Sequence, residues 1–154
     1  NAAKSAKEVE QRSIDDDAVE SWAHPARAPY GEGGENPFAV HEELRSTMQN
    51  LVGIVRTKAD LEEALGKIDE LRQRAGKVTV TGNMQFNPGW HLALDLWNML
   101  DISEVVTRAA LSREESRGGH TREDFPDSDP QWGTFNQVAR QTEGAIEIEK
   151  TPLP

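Results

Sequence analysis

The sequence contains no cysteine. Disulfides, thiolate metal ligands, iron–sulfur ligation and a cysteine nucleophile are therefore excluded within this chain, and the composition fits a reducing compartment. No apolar run approaches the roughly 20 residues that a membrane-spanning helix needs, and no signal-peptide pattern is present. Cations are outnumbered: 17 Lys and Arg stand against 27 Asp and Glu, a net charge of −10. Nucleic acid and anionic lipid reward clustered Lys and Arg, so neither is an expected partner. Histidine is scarce as well. His24, His41, His91 and His120 share no metal-binding spacing, and His41-Glu42-Glu43 lacks the second histidine of a zinc-binding helix. The glycine run from Gly31 to Gly34 is interrupted by Glu32, has no strand before it and no Lys-Ser/Thr after it. It does not read as a phosphate cradle.

What remains is mostly helical pattern. The 154 residues suit one domain with a real core. Residues 2–23 have helix-forming composition with a thin apolar stripe, and Asp15–Asp17 predict the cap of a short helix through Trp22 that His24-Pro25 ends. Residues 25–36 predict a loop. Asn36-Pro37 starts a helix whose stripe is Val40, Leu44, Met48, Leu51 and Val55, running to about Arg56. Thr57 and Asp60 form a capping box for a second long helix, with Leu61, Leu65, Ile68 and Leu71 on its face and Gly76 at its end. Val78–Thr81 reads equally as a short strand or an extended connection. Asn87-Pro88 opens a third long helix to about Glu115, apolar on more than one face and so the expected centre of the bundle. Residues 135–140 and 145–150 flank Gln141–Gly144 as a β-hairpin, which must lean on the bundle or on another domain. The expected class is mainly α: an antiparallel three-helix, spectrin-repeat-like bundle with a C-terminal β-hairpin. Residues 1–35 form an N-terminal helical segment and Gly/Pro-rich loop; residues 36–154 form the bundle domain with its loop and hairpin. The chain begins at Asn1 and ends at Pro154 with no terminus character, which reads as a piece of a longer polypeptide.

One stretch, Arg113–Asp127 (REESRGGHTREDFPD), looks specified by more than solubility. Arg117, His120 and Arg122 crowd around Gly118-Gly119, with Glu123 and Asp124 close behind. Arg and His offer donors to an anion, a carboxylate or a carbonyl. On chemistry alone the stretch reads as a helix C-cap at Gly118 followed by a solvated charged loop. Glu114-Glu115 and Glu123-Asp124 are paired carboxylates with acid/base capacity, for which a solvated loop is the commoner outcome. Ser116 has no evident base in sequence. Trp22, Trp90, Trp97 and Trp132 read as core or interface anchors.

The segment ESRGGHTREDFP from Glu115 to Pro126 resembles the C-terminal signature of the flavoprotein subunits of succinate dehydrogenase and fumarate reductase. Asn36–Leu44 (NPFAVHEEL), Met48–Arg56 (MQNLVGIVR) and Leu94–Leu111 with its Asn98–Ile102 (NMLDI) extend the resemblance over residues 34–150. The chain departs from the pattern at Gly119, where the family carries Ala, and after Pro126, where DSDPQWGTF keeps Trp132 but not the Lys-His that follows it. The resemblance implies a helical C-terminal domain packed on FAD-binding and capping domains of the same subunit. It also implies a neighbouring iron–sulfur subunit, membrane anchor subunits reached indirectly, and a peripheral place on the cytoplasmic face of the cell membrane. The whole enzyme would interconvert succinate and fumarate with FAD bound elsewhere, so no catalytic, cofactor-binding or metal residue is expected in this chain. Ser116, Arg117, Gly118, His120, Arg122, Glu123 and Asp124 would form an interdomain loop, mobile or held by other contacts when the partner domain is missing. Cut from its partner domain, the fragment would expose apolar surface once covered and so be open to self-association. Two alternatives are a self-sufficient helical interaction module and the C-terminal domain of L-aspartate oxidase, which shares the Ser-Arg-Gly feature.

Overall fold

The computed structural model describes residues 15–153, and the helix expected before residue 15 lies outside them. The described chain is mainly helical, with four α-helices and a small antiparallel hairpin. Helix α1 spans Asp16–Arg27, α2 Pro37–Leu51, α3 Lys58–Ala75 and α4 Pro88–Ser112. The two-residue strands β1 (Val55–Arg56) and β2 (Thr121–Arg122) pair in parallel. Strands β3 (Phe135–Thr142) and β4 (Ala145–Pro152) form the hairpin.

Each helix start matches a side-chain cap. Asp15, Asn36 and Asn87 accept from backbone N–H groups two or three residues on, and Thr57 with Asp60 completes a reciprocal capping box. Helix ends differ more from expectation. Helix α1 continues past Trp22 to Arg27 with Pro25 inside its last turn. A proline there forfeits one bond, and tertiary contacts outweigh that loss: Trp90 Nε1 donates to the Ala26 carbonyl at 2.7 Å. Helix α2 stops at Leu51 rather than Arg56. Val55 leaves the predicted apolar stripe and stands exposed, because Val55 and Arg56 pair with Thr121 and Arg122 instead. Helix α4 ends at Ser112, three residues short of the predicted Glu115.

Val78–Thr81 finds its partner in the segment read as a plain loop. Tyr30 bridges Val80 and Glu35 bridges Val78, both in parallel. Between them, a Cβ on Gly34 would collide with the Lys77 carbonyl oxygen, so glycine is needed for the two backbones to approach.

The main core joins Val40 and Leu44 of α2, Ile68 and Leu71 of α3, and Ala93, Leu96 and Leu100 of α4. Val52, Leu61, Ala64 and Ala110 form a second cluster toward the β1–β2 end. Arg72 ties α3 to α4 through Asp101 at 2.6 Å and Glu104 at 2.9 Å. Helix α4 packs on α2, α3 and the hairpin. It is not enclosed on every side: Trp97, Ile102 and Val106 remain exposed. No helix among the described residues is long and apolar enough to cross a membrane.

The hairpin turn is two residues, Glu143-Gly144, rather than the predicted four. Both have positive φ, at 52° and 86°, as a tight turn matched to strand twist requires. The hairpin leans on α4. Gln137 Nε2 donates to the Ala109 carbonyl at 3.0 Å and to Ser112 Oγ at 2.5 Å.

Candidate functional site

The last carbonyls of an α-helix have no partner within the helix. At the end of α4 they find Arg122, whose side chain is completely buried. Its Nη1 donates to the carbonyls of Ala110 and Leu111 at 3.0 Å and of Arg113 at 3.3 Å. Its Nε and Nη2 fork onto the two oxygens of Asp124 at 2.8 and 2.7 Å. The Phe125 ring lies 4.9 Å from the guanidinium. Asp124 Oδ2 also accepts from the N–H of Lys58 at 3.1 Å, the first residue of α3. One ion pair thus closes the negative end of α4 and the positive end of α3, each charge matched to its helix dipole.

The Arg122 hydrogen bond, with help from the Lys58 N–H, overrides burial and holds the Asp124 carboxyl down at about 2, below its ordinary 3.8. A folded-state value below the unfolded one stabilises the fold above the unfolded value, and that stability is lost as pH falls through the folded one. The stability advantage of the native chain over Asp124→Asn should therefore be full above about pH 5 and shrink as pH falls toward 2. Urea midpoints across that range check it; a gap independent of pH contradicts the assignment.

Ser116 fixes the base of the loop. Its Oγ accepts from the Arg122 N–H at 2.9 Å and donates to the Phe125 carbonyl at 2.8 Å, while its own N–H donates to the Asp127 carbonyl at 3.0 Å. Arg117 and His120 then exchange backbone bonds of 2.8 and 3.0 Å around Gly118-Gly119. Gly118 sits at φ 60°, a conformation that favours glycine. The chain returns as β2: Thr121 N–H donates to the Ile54 carbonyl and Glu123 N–H to the Arg56 carbonyl, both at 3.1 Å. The Glu123 side chain is exposed, so this residue contributes through its backbone.

A second buried charge, Glu115, stands beside the first. Its Oε1 accepts from Arg113 Nε at 3.0 Å and Nη2 at 2.6 Å; its Oε2 accepts from Arg117 Nη2 at 3.1 Å and the Asp129 N–H at 2.8 Å. Burial pushes this carboxyl up, but the Arg113 and Asp129 donors and the two cations hold it below its ordinary value. Arg117 Nη2 also donates to the Asp129 carbonyl at 2.9 Å. His120 Nε2 lies 3.1 Å from the Arg113 carbonyl. Burial pushes the imidazole down from its ordinary value; the carbonyl opposes this, while the charges of Arg56, Arg113 and Arg122 reinforce it. A neutral ring donating Nε2–H to that carbonyl fits this environment.

The seven residues singled out in sequence are thus brought into one connected loop. The solvated reading with a cap at Gly118 is overturned: the helix ends five residues earlier at Arg113, and Arg122 and Glu115 are buried. Within the chain, the ends of α3 and α4 and the carbonyl edge of β1 hold the loop. Sequence reasoning missed Arg113, Glu115 and Asp129 as structural partners. The dense run of charges between Arg113 and Asp129 is the signal that could have found them.

Chemically, the buried polar groups of the loop are spent on one another and on the ends of α3 and α4, while the Glu123 side chain and part of Arg117 face solvent. Ser116 has a carbonyl, not a base, as its acceptor. Among the described residues, no group of three His, Asp or Glu is placed to hold a metal. The residues here do not fit a flavin dinucleotide either. The N–H groups of Gly31 and Gly34 already donate to the Val80 carbonyl and Thr79 Oγ1, and the guanidinium of Arg122 is committed to Asp124 and helix carbonyls, so these donors are not free for a phosphate.

Comparison with known proteins bears on the loop and the fold together. The sequence profile described as "Fumarate reductase flavoprotein C-term" matches residues 41–154. One of the subunits of the CoM/CoB fumarate reductase of Methanothermobacter marburgensis is 37% identical over 132 residues, covering 86% of this chain and 24% of that protein. The fumarate reductase flavoprotein subunit of Haemophilus influenzae is 30% identical over 150 residues, covering 96% of this chain and 25% of that one. Among solved structures, a chain of the Mycobacterium smegmatis Sdh1 complex with UQ1 superposes with a TM-score of 0.86 at 41% identity, covering 99% of this chain and 27% of that one. The chain therefore spans about a quarter of the length of the relatives it matches. A dense, self-contained polar clasp stands on a helical domain whose shape and sequence match these subunits, and the chain belongs to the C-terminal domain family of the fumarate reductase and succinate dehydrogenase flavoproteins.

Proposed function

We propose that this chain is the non-catalytic helical brace of a FAD-dependent flavoprotein subunit that interconverts succinate and fumarate. The observation that carries the reading is the disparity in coverage: nearly all of this chain aligns with its relatives, yet it accounts for about a quarter of their length. The consumption of its polar clusters in internal contacts supports the same division of labour. FAD, the dicarboxylate and the proton-transfer groups then belong to the remaining three quarters. The three long helices act as an antiparallel, spectrin-repeat-like unit. Residues 36–154 form that unit with its loop and hairpin, and residues 1–35 lead into it. Within the same subunit the partners are the FAD-binding and capping domains; beyond it stand an iron–sulfur subunit and, indirectly, membrane anchor subunits. The assembly would sit peripherally on the cytoplasmic face of the cell membrane. Ser116, Arg117, Gly118, His120, Arg122, Glu123 and Asp124 serve as an interdomain loop, in which Arg117 and Glu123 both reach solvent.

Two measurements test the reading. Calorimetric titration of FAD or succinate into the 154-residue chain should give no heat of binding, and tight binding of either overturns the division of labour. In the full subunit, Arg117→Ala should reduce FAD retention and assembly while costing this chain less, because the Arg117 side chain is 42% exposed. Equal losses in the two contexts would argue that Arg117 serves only the internal fold.

A further inference from the structure

The β1–β2 pairing sets two arginines side by side. In the parallel register Arg56 stands opposite Arg122. Like charges facing each other across paired strands oppose that pairing. For Arg122 the problem is solved by Asp124. For Arg56 nothing among the described residues solves it. Its side chain forms no salt bridge among them, and its buried Nε has no hydrogen-bond partner. The acceptors nearby are taken. Both oxygens of Asp124 hold Arg122, and one of them also holds the Lys58 N–H. Glu123 meets Arg56 through its backbone, donating its N–H to the Arg56 carbonyl. His120 brings no negative charge.

Burial, reinforced by the charge of Arg122, pushes the Arg56 guanidinium below its ordinary value. A guanidinium nevertheless stays protonated in proteins; Arg56 is half-buried and only its Nε is shut off from solvent, so the outer nitrogens of its fork are the ones an acceptor from outside these residues would reach. Beside it, Ile54 and Val55 are 67% and 56% exposed. A free anion would satisfy Arg56 and leave those two side chains in water. A protein surface carrying a carboxylate amid apolar groups would satisfy all three.

We propose that Ile54, Val55 and Arg56 form a docking edge for the remainder of the flavoprotein subunit, and that Arg56 receives a carboxylate from that surface. The inference rests on the reading of this chain as one domain of a larger subunit, and it names the anchor and the chemistry of what meets it. Ile54 and Val55 exclude water from the pair. The Arg56–carboxylate contact fixes where the edge sits, because a forked guanidinium accepts one carboxylate orientation.

Hydroxyl-radical labelling of the full subunit, read by mass spectrometry, tests the proposal. Ile54 and Val55 should be sheltered in the native subunit. Arg56→Gln should raise their labelling about fivefold or more, roughly the effect of losing a charged hydrogen-bonded anchor, and Arg56→Lys, which keeps the charge but not the fork, should raise it less. Sheltered side chains whose labelling neither variant changes would overturn the role of Arg56 while leaving the domain reading intact. If Ile54 and Val55 of the native subunit are labelled as fast as a fully exposed side chain, no protein surface meets this edge, and the docking edge falls. In that case FAD retention in Arg117→Ala still judges the domain reading independently.

Discussion

Arg122→Ala should lower the stability of the chain by about 3 kcal/mol, the low end of the range found when one member of a buried ion pair is removed, because Arg122 is buried while the Asp124 side chain is 31% exposed. Three losses coincide. Asp124 keeps its charge without its counterion, the carbonyl of Ala110 loses its donor at a buried site and that of Leu111 at a part-buried one, and the volume of the largest fully buried side chain is vacated. Arg122→Lys should recover little, because one ammonium cannot fork onto a carboxylate and cap three carbonyls at once. Arg140→Ala provides the contrast. Its bond to Glu149 is 2.9 Å, but the side chains are 61% and 50% exposed, and such a pair contributes less than about 1 kcal/mol. Denaturant unfolding of the three variants measures the differences. An Arg122→Ala loss no larger than that of Arg140→Ala would show that the pair does not clasp the helices.

The second large effect is expected at Trp132. This residue lies in a short 3₁₀ turn, Pro130–Gly133, that Asp129 caps. Its ring centroid is 4.9 Å from that of Phe135, and Lys150 Nζ stands 4.1 Å from its centre, so it is gripped by both strands of the hairpin. Arg113 approaches the same ring at 5.9 Å, which joins the hairpin to the end of α4. Truncating a buried tryptophan to alanine costs about 3–5 kcal/mol. Here the cost should fall mainly on the hairpin, which as a two-stranded ribbon is marginal without support. In Trp132→Ala, amide hydrogen exchange of residues 135–152 should approach unprotected rates while Ile68 and Leu96 stay protected. Uniform loss of protection across both regions would show that hairpin and bundle unfold as one unit.

The helices were legible because their signals are local. A cap such as Asn36-Pro37 or Thr57 with Asp60 is decided within four residues, and an apolar stripe within a few turns. The helix ends were less legible where a distant partner decides them. Nothing near Val55 announces that Thr121 and Arg122 will draw it out of α2. Nothing near Pro25 announces that Trp90 will hold the turn around it. Val78–Thr81 read ambiguously for the same reason, since its partners Tyr30 and Glu35 lie more than 40 residues away in a segment with loop composition. In the loop, the important residues were visible but their environment was not. Arg122 and Glu115 carry full charges, and charge alone predicts solvent. Only the converging donors and acceptors from α3, α4 and Asp129 make burial tolerable. Arg56 shows the reverse case: an ordinary helix-face residue in sequence becomes conspicuous once its partners are counted.

The hydrogen bond from Lys58 to Asp124 joins residues 66 positions apart. Closing so long a stretch of chain forfeits entropy that contacts nearer in sequence must first offset. The clasp needs the ends of α3 and α4 already side by side, so it is expected to close after those helices have met. In that order Arg122→Ala quickens unfolding more than it slows refolding, and stopped-flow rates that change only in refolding contradict it.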